Sequence, residues 1–564
     1  MGRDLEEQKS VQSKARHWEL VFDQTHVTPE VLNHPYKGSG TEQDPYVVEY
    51  IPNDRRNPLN FTKLKKWTIT LLLAWATLAV AFASSAYTGG VYHILKTFNV
   101  STEVVTLGIS LFVLGFAIGP LLWGPLSELY GRQVLFIGTY AMLTAFNAGA
   151  AGAQNIQTLL IMRFFAGAFG SSPLTNAGGV IADMFAATDR GVAMSIFAAA
   201  PFLGPAIGPI VGGFLGESQG WRWVEGLMAI FTGALWIIGG LTIPETYSPV
   251  ILRRRANKMS SMTGKVYKSK IEVDYGSKSL SAEFKTALSR PWVLLFTEPI
   301  VFLLSLYMAI IYGTLYMMFG AFPIVYQVER GWSPGIGGLV FCGVAIGIIA
   351  AVLYSVWDNK RYNATAARHN NAAPPEARLP PAIIGSICLP VGLFWFAWTN
   401  SPEVHWIVSI IATVPFGFGM VLVFLSIMNY LIDSYVIYAA SVLAASSVIR
   451  SLFGAAFPLF TTYMYQNLGI HWASSIPAFL ALACVPFPYL FYKYGEPIRM
   501  KCKFAAQAAR VLAQMRGSSK NEDQAEQKVE DMEIQESRKL KTHGESESDD
   551  VNGDGDKTEG KIES

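Results

Sequence analysis

Twelve long apolar segments constrain the fold of this chain more than any other feature. Each contains about 20 predominantly apolar residues, which is the length that an α-helix needs to cross the hydrocarbon core of a bilayer. The segments lie near residues 67–88, 104–125, 133–153, 157–182, 191–216, 221–243, 292–318, 335–357, 380–399, 405–432, 437–465 and 474–493. The sequence therefore predicts an all-α integral membrane protein with twelve transmembrane helices.

Composition supports the membrane class. Hydrophobic residues make up 51% of the 564 residues and charged residues 15%, against about 25% charged in soluble domains. The net charge of +2 gives no indication of a nucleic-acid partner. The cysteines are Cys342, Cys388, Cys484 and Cys502. Because they lack metal-ligand spacing, we expect neither a metal site nor a disulfide framework.

Polar segments divide the twelve spans into two groups of six. We expect the following order: a cytoplasmic N-terminal tail at 1–66, a six-helix bundle at 67–243, a central cytoplasmic loop at 244–291, a second six-helix bundle at 292–493 and a cytoplasmic C-terminal tail at 494–564. The central loop should contain a short amphipathic helix near Ala282–Leu288. The C-terminal tail begins as a basic surface helix and becomes a disordered acidic segment from Gly517. Two such halves are what an alternating-access carrier needs.

The basic residues predict the orientation. Loop 244–291 contains ten Lys and Arg residues, and the connection after the eighth span contains four, whereas the loops on the other side offer little beyond Lys96 and Arg330. The positive-inside rule therefore places both termini in the cytoplasm. Asn99-Val100-Ser101 then lies in the first outer loop as a glycosylation sequon, although its closeness to the membrane disfavours its use.

A glycine–proline run marks the fifth span. Gly204, Gly208, Gly212 and Gly216 recur every four residues and so share one helix face. Small residues at this spacing let transmembrane helices approach closely, so helix packing is one explanation. The run Gly204, Pro205, Gly208, Pro209, Gly212 and Gly213 also resembles the fifth-helix antiporter motif of drug:proton antiporters in the major facilitator superfamily.

Two connections place an acid and a base together at predicted cytoplasmic helix ends. The first contains Glu128, Gly131 and Arg132, and the second is Asp358–Tyr362. Such clusters can latch an inner gate by ion pairing, whereas a single cluster is also explained as a solvated turn. The first connection resembles the superfamily's signature loop, although Glu128 replaces the usual aspartate. The same resemblance assigns Asp183 and Arg190 to a charge relay at the next cytoplasmic turn.

Ionisable residues inside spans are candidates for function, because a charge in hydrocarbon costs at least about 2.5 kcal/mol. Arg163 and Glu225 lie at similar predicted depths, about 9 and about 6 Å from the outer face at 1.5 Å per residue. We therefore expect them to meet, with Glu225 as a proton carrier tuned by Arg163. A fixed structural ion pair is the alternative. Glu298 and Asp433, near the cytoplasmic ends of their spans, are secondary candidates for proton coupling.

Several aromatic and polar residues are candidates for lining a large apolar substrate cavity. They are Trp75, Phe202, Tyr312, Tyr316, Asn429 and Arg450. A few polar groups among aromatic rings would suit lipophilic or aromatic cargo. Each residue taken alone is also explained as a core or lipid-facing position. We expect Arg450 to face a polar cavity rather than lipid.

Four further segments narrow the resemblance to fungal twelve-span drug:proton antiporters. They are Asn57–Phe61, Trp221–Trp223, Pro244–Tyr247 and Tyr438–Pro458, and the similarity extends from about residue 40 to about residue 500. Within that branch, Gly38–Val48 is similar to exporters tied to fungal toxins and secondary metabolites. The resemblance implies the major facilitator fold of two pseudo-symmetric six-helix bundles.

The resemblance also implies a function: proton-driven export of lipophilic drugs, toxins or fungal secondary metabolites by a monomer in the plasma membrane rather than the vacuole. No cofactor is expected, and the absence of a glycine-lysine-serine/threonine loop leaves an ion gradient as the energy source. A polyamine or nutrient transporter of the same superfamily is the alternative. An enzyme is disfavoured, because the eight histidines are scattered.

Overall fold

The computed structural model describes residues 17–276, 280–369 and 373–512. The predicted disordered acidic segment from Gly517 lies outside the described residues. Residues 503–512 are helical and belong to a unit of their own. We call the end of the molecule that carries the connection between the second and third spans the inner end, and the opposite end the outer end.

Six long helices form the amino-terminal half. They are α1 Lys63–Ala86, α2 Thr102–Tyr130, α3 Arg132–Ala151, α4 Ile156–Met184, α5 Ala200–Gln219 and α6 Trp221–Thr242. Shorter helices extend this set: Tyr87–Gly90 and Val91–Phe98 follow α1, and Ala187–Phe197 precedes α5. Within this half α1 packs against α5, α2 against α4, and α3 against both α4 and α6.

The carboxyl-terminal half repeats this arrangement. Its first helices are α7 Pro299–Phe322, α8 Phe341–Arg368, α9 Pro380–Thr399 and α10 Trp406–Ser434. The helical run Ala439–Cys484 is broken at Gly469, whose φ of 72° lies in the left-handed region that favours glycine. The break separates α11, residues 439–468, from α12, residues 470–484, which Pro486–Lys501 continues. The pairs α7–α11 and α8–α10 correspond to α1–α5 and α2–α4.

All twelve predicted spans are helical. Ten helices of the described part of the chain are long and apolar enough to cross a membrane, and one of them, Val436–Lys501, contains both α11 and α12. The helix outside this group is α4, which carries Arg163, Asp183 and several Ser, Thr and Asn residues. It is nevertheless as long as α2, at 29 residues each, and it packs against α2 and α3.

Ordered structure precedes α1, where the sequence predicts only a polar tail. Strand β1, Tyr46–Val48, pairs in parallel with strand β2, Tyr267–Ser269, of the central loop. Both strands lie beside the loop helix Ser248–Thr263 on a small core that includes Val31, Leu252 and Met259. We call residues 17–60 and 248–269 the polar cap.

Short helices complete the polar cap and the connections. They are His17–Phe22, Pro29–Leu32, Pro58–Asn60, Lys270–Tyr275, Pro323–Val328, Pro334–Gly338, Pro375–Arg378 and Val436–Tyr438. The amphipathic helix expected near Ala282–Leu288 is part of the longer helix Leu280–Thr297, which continues towards α7.

The two halves touch at both ends of the molecule. At the outer end, a Cβ built on Gly213 would lie 2.7 Å from the carbonyl oxygen of Pro334. At the inner end, a Cβ built on Gly191 would lie 3.2 Å from Oδ1 of Asn359. Between these contacts α2 packs along α11. The two halves are therefore in contact at both ends and along α2 and α11.

Candidate functional site

The centre of the amino-terminal half contains a buried ion pair. Nη1 of Arg163, on α4, lies 3.2 Å from Oε1 of Glu225, on α6, and both side chains are only 1% exposed. The Arg163 guanidinium also lies over two aromatic rings, 4.3 Å from the Tyr87 centroid and 4.7 Å from that of Phe112. The structure thus brings together the two residues that were predicted to lie at similar depth.

Backbone carbonyls accept hydrogen bonds from the other N–H groups of the Arg163 guanidinium. Its Nε donates to the carbonyl of Gly108 at 2.9 Å, and Nη2 donates to those of Ala83 at 3.2 Å and Ser84 at 3.3 Å. Oε2 of Glu225 differs, because it is buried without a hydrogen-bond partner among the residues that the structure describes. Arg163 is therefore saturated with acceptors, whereas Glu225 retains one oxygen that can take a proton.

A short chain of hydroxyl groups crosses from α1 to α7. Tyr312 donates to the Tyr316 hydroxyl at 3.4 Å, and the Tyr316 and Ser84 hydroxyls lie 2.8 Å apart. Because Ser84 Oγ donates to the carbonyl of Ala81 at 2.7 Å, Tyr316 is the donor to Ser84. Ser84 thus contacts Arg163 through its carbonyl and the second half through its hydroxyl.

Arg450, on α11, lies at the other end of this chain. Its guanidinium is 4.9 Å from the ring centroid of Tyr312 and 5.0 Å from that of Phe424. Phe424 in turn meets Phe202 of α5 edge to face at 4.7 Å. Of the six predicted cavity residues, the structure therefore brings together Phe202, Tyr312, Tyr316 and Arg450.

Trp75, the fifth predicted cavity residue, lies apart from this cluster. It is 55% exposed, and its ring contacts Phe231 of α6 at 6.4 Å. Asn429, the sixth, is half-buried on α10. Among the described residues it forms no hydrogen bond with Phe202, Tyr312, Tyr316 or Arg450.

Glu298 and Asp433 lie near the inner end, away from the Arg163–Glu225 pair. Glu298, immediately before α7, is 1% exposed and accepts a hydrogen bond from the Tyr435 hydroxyl at 2.8 Å. Asp433 is ion-paired with Nε of Arg378 at 2.8 Å. These carboxylates therefore join local contacts of the carboxyl-terminal half.

Two of the predicted gating residues, Arg132 and Asp183, meet at the inner end of the amino-terminal half. Arg132 at the start of α3 pairs with Asp183 at 3.6 Å, and Gly131 before it has a φ of 99°. Arg190 donates to the backbone carbonyls of Ala182 and Phe185 instead of a carboxylate. Glu128 lies half-buried in the last turn of α2.

Glu245 completes this cluster, although the sequence analysis did not select it as a site residue. Its buried carboxylate accepts the backbone N–H groups of Arg132 at 2.9 Å and Gln133 at 3.3 Å, which the start of α3 leaves without helical partners. It also accepts those of Thr246 and Tyr247, each at 2.9 Å. The available signal was the segment Pro244–Tyr247, which directly follows the sixth span.

Equivalent ion pairs lie at the inner end of the carboxyl-terminal half. Arg361 pairs with Asp358 at 2.6 Å, within the second connection that the sequence singled out. Arg499 holds Glu376 at 3.0 Å. Each half therefore ends in its own charged cluster.

The glycine–proline run forms close contacts on two sides of α5. Cβ atoms built on Gly204, Gly208 and Gly212 would overlap the backbone or side chains of α1 between Leu78 and Ala86. Pro209 lies against Gly338 on the outer end of the second half. This helix thus packs against its own bundle and also forms part of the outer contact. Asn99 lies on an exposed turn at the same end with a φ of 51°.

The chain is similar to several known proteins. The family model described as Major Facilitator Superfamily matches residues 73–458. The chain is 67% identical over 504 residues to the MFS-type efflux pump MFS2 of Trichophyton rubrum, covering 89% of this chain and 85% of that protein. It is 65% identical to the major facilitator superfamily multidrug transporter mdrA of Aspergillus fumigatus, covering 89% and 82%.

Solved structures show the same fold. A crystal structure of the D-xylose-proton symporter superposes with a TM-score of 0.55 at 16% identity, covering 75% of this chain and 97% of that one. The human organic anion transporter MFSD10 superposes with a TM-score of 0.52 at 14% identity, covering 75% and 99%. These matches confirm the predicted fold of twelve helices in two six-helix bundles.

Proposed function

Because this chain belongs to the major facilitator superfamily, we propose that it is a proton-coupled exporter of lipophilic small molecules that works by alternating access. The family and its relatives are transporters, so the chain is a multi-pass membrane protein and not an enzyme. The relatives' names, efflux pump and multidrug transporter, favour export of drugs, toxins or secondary metabolites over nutrient uptake.

The buried Arg163–Glu225 pair carries the proposal of proton coupling. A charge pair inside a membrane is costly, which favours a functional role for it, and Glu225 Oε2 is buried without a partner among the described residues. Protonation of Glu225 removes its charge and weakens its hold on Arg163. Arg163 also binds the carbonyls of Ala83 and Ser84, so the change reaches α1 directly.

The hydroxyl chain supports transmission of this change to the second half. The Ser84 hydroxyl is hydrogen-bonded to that of Tyr316 on α7, and the Tyr316 hydroxyl is hydrogen-bonded to that of Tyr312 beside Arg450. The rings of Phe202 and Phe424 lie next to the same cluster, buried against each other, and would become an apolar, aromatic surface for cargo when the halves separate. A shift of α1 therefore alters the region in which the cargo would bind.

The charged clusters at the inner end would act as latches for the cytoplasmic gate. Arg132, Asp183 and Glu245 hold the ends of α3, α4 and α6 together, and the clusters of the carboxyl-terminal half do the same for its helices. Glu128 and Arg190 flank the first cluster. Breaking these ion pairs during opening costs little where the side chains are already partly in water. We place both termini in the cytoplasm, the monomer in the plasma membrane, and the Asn99 sequon in the first outer loop, where its closeness to the membrane disfavours glycosylation.

A polyamine carrier is the less favoured alternative. The aromatic cluster between the halves contains the cation Arg450, and no carboxylate pairs with Arg450 among the described residues. A polycation would be repelled there, because two like charges at close range in a medium of low dielectric constant are unfavourable.

Transport in inside-out membrane vesicles tests the proposal. With an acidic lumen, vesicles that contain the protein should accumulate lipophilic fluorescent drugs, and a protonophore should abolish the accumulation. Spermidine serves as the comparison cargo. Accumulation of spermidine alone, or drug accumulation that is unaffected by the protonophore, would contradict the proposal.

A further inference from the structure

Two arginines, Arg163 and Arg450, lie deep inside the spans, and their surroundings differ sharply. Arg163 has a carboxylate and three backbone carbonyls as acceptors. Arg450 has only the Ser447 hydroxyl, at a long 3.4 Å, and its Nε is buried without a partner. No carboxylate pairs with Arg450 in the part of the chain that the structure describes. Because an arginine in a span is expensive without a counter-charge, Arg450 needs an anion that the described residues do not supply.

The groups around Arg450 leave its donors available while fixing its position. The rings of Tyr312 and Phe424 lie 4.9 and 5.0 Å from the guanidinium carbon. Such contacts stabilise the cation through the faces of the rings but do not use its N–H groups. A planar guanidinium held in this way can offer two parallel N–H groups to a carboxylate.

We propose that Arg450 is the anchor of a subsite for an aromatic organic anion, whose carboxylate pairs with the guanidinium while its ring packs against Phe202 and Phe424. The inference rests on the proposed export function and narrows it to cargo that includes acidic compounds. The Tyr312 hydroxyl lies beside the same position, and because its bond to Tyr316 is a long 3.4 Å it can turn its hydrogen to the anion, whereas the Tyr316 hydrogen is engaged with Ser84 at 2.8 Å. The subsite therefore combines one cation, one hydroxyl donor and an apolar wall.

The subsite is connected to the proposed proton carrier. The Tyr312 hydroxyl donates a hydrogen bond to the Tyr316 hydroxyl, which donates one to the Ser84 hydroxyl. The Ser84 backbone carbonyl in turn accepts a hydrogen bond from Arg163. An anion at Arg450 and a proton on Glu225 would thus act on the same segment of α1 from opposite sides.

Binding of a matched pair of probes to the purified full-length protein tests the subsite. The probes are 1-naphthoate and 1-naphthamide, which share ring and shape but differ in charge at pH 7. Calorimetry on wild-type protein should show tighter binding of the naphthoate. Arg450→Gln should weaken naphthoate binding about tenfold or more, since hydrogen bonds to charged groups are the strong ones, and should change naphthamide binding by less than about twofold.

Three further variants separate a direct role from a structural one. Arg450→Lys keeps the cation and should restore part of the naphthoate affinity, whereas Ser447→Ala removes only the weak 3.4 Å partner and should leave both affinities unchanged. Tyr312→Phe keeps the ring, so it provides a second test if Arg450→Gln does not fold, and it should weaken naphthoate binding more than naphthamide binding.

The outcomes distinguish the subsite from the function. Three results would each overturn the subsite and leave the proposed function standing. Arg450→Gln would lose the same affinity for both probes, the wild type would prefer naphthamide, or the wild type would export neutral drugs but not bind naphthoate. Vesicles in which no drug responds to the pH gradient would instead overturn the proposed function.

Discussion

At the scale of single residues, the number of hydrogen-bond acceptors separates the two membrane arginines. The guanidinium of Arg163 is enclosed by Glu225, three carbonyls and two rings, so it is held in one position. Glu225 carries the one unsatisfied oxygen of the pair. The residue that changes its protonation state in our scheme is therefore the carboxylate, and the arginine provides its counter-charge.

The first prediction concerns Glu225→Gln, which mimics the protonated side chain without changing its size. Export driven by a pH gradient should fall by at least about tenfold, because the variant cannot release a proton, while exchange of cargo without a gradient should persist. Both rates are measured in vesicles at equal protein content. Glu403→Gln, at an exposed position of the outer loop, is the matched control. A Glu225→Gln protein that concentrates cargo with normal pH dependence would remove Glu225 from the mechanism.

The second prediction concerns the glycine face of α5. A Cβ on Gly208 would overlap Ser85 Oγ and lie 2.8 Å from the backbone nitrogen of Ala86, so Gly208→Leu should force α5 and α1 apart. We expect loss of most transport. Gly138→Leu on α3 is the control, because a Cβ there meets nothing within 4 Å. Equal transport by the two variants at equal surface expression would show that close packing of α5 is not required.

At the scale of elements, the polar cap connects the chain before α1 to the inner end of the amino-terminal half. Arg56 is fully buried and donates to the carbonyl of Glu245 at 3.1 Å, next to the cluster at the start of α3. Burial lowers the pKa of the Arg56 guanidinium to about 10, so this side chain remains charged near neutral pH. Arg255 of the loop helix pairs with Asp54 at 2.5 Å, with both side chains almost inaccessible.

The third prediction tests this cap. Asp54→Ala should destabilise the cap by about 3–5 kcal/mol, because it leaves Arg255 buried without its counter-charge. Hydrogen exchange of the amides in β1 and β2 should accelerate accordingly. Glu49→Ala removes an exposed ion pair with Lys270 and should change the cap by less than about 1 kcal/mol. Similar exchange rates in the two variants would mean that the buried pair does not hold the cap together.

At the scale of the whole molecule, the two halves touch at both ends, and the charged clusters of the described residues that were named above lie at the inner end. The outer contact includes small residues, with Gly213 against Pro334 and Gly338 against Pro209, and a hydrogen bond from the Gly335 backbone N–H to the Glu217 carboxylate at 3.0 Å. Small residues allow close apposition of backbones, whereas ion pairs can exchange partners with water. The charged clusters hold helices together within each half, whereas the outer contact joins the two halves.

The fourth prediction concerns orientation. His369 follows α8 and Glu403 lies in the connection between α9 and α10, and both are exposed. In intact cells a membrane-impermeant maleimide should label Glu403→Cys, whereas His369→Cys should react only after permeabilisation. The unsubstituted protein, whose four cysteines are all free and buried or half-buried, gives the background. Labelling of His369→Cys from outside would reverse the predicted topology.

The family, the fold and the positions of the spans could be predicted from the sequence alone. Hydrophobic length and the distribution of Lys and Arg are local properties, so each span can be identified without knowledge of its neighbours. The meeting of Arg163 and Glu225 was also predictable, because helical rise converts sequence position into depth. The roles assigned to these residues remain predictions.

Only the tertiary structure decided which distant groups meet. Three contacts join positions that are far apart in the chain. Glu245 accepts the backbone N–H groups at the start of α3, β1 pairs with β2, and Arg56 donates to the carbonyl of Glu245. The separation of Trp75 from the aromatic cluster depends on which face of α1 turns towards α6. Likewise, the sequence contains both Arg163 and Arg450, but their partners depend on packing. Glu225 pairs with Arg163, whereas no carboxylate of the described residues pairs with Arg450. Partnering in a low-dielectric interior is set by three-dimensional distance, and residue type and helical spacing do not specify it.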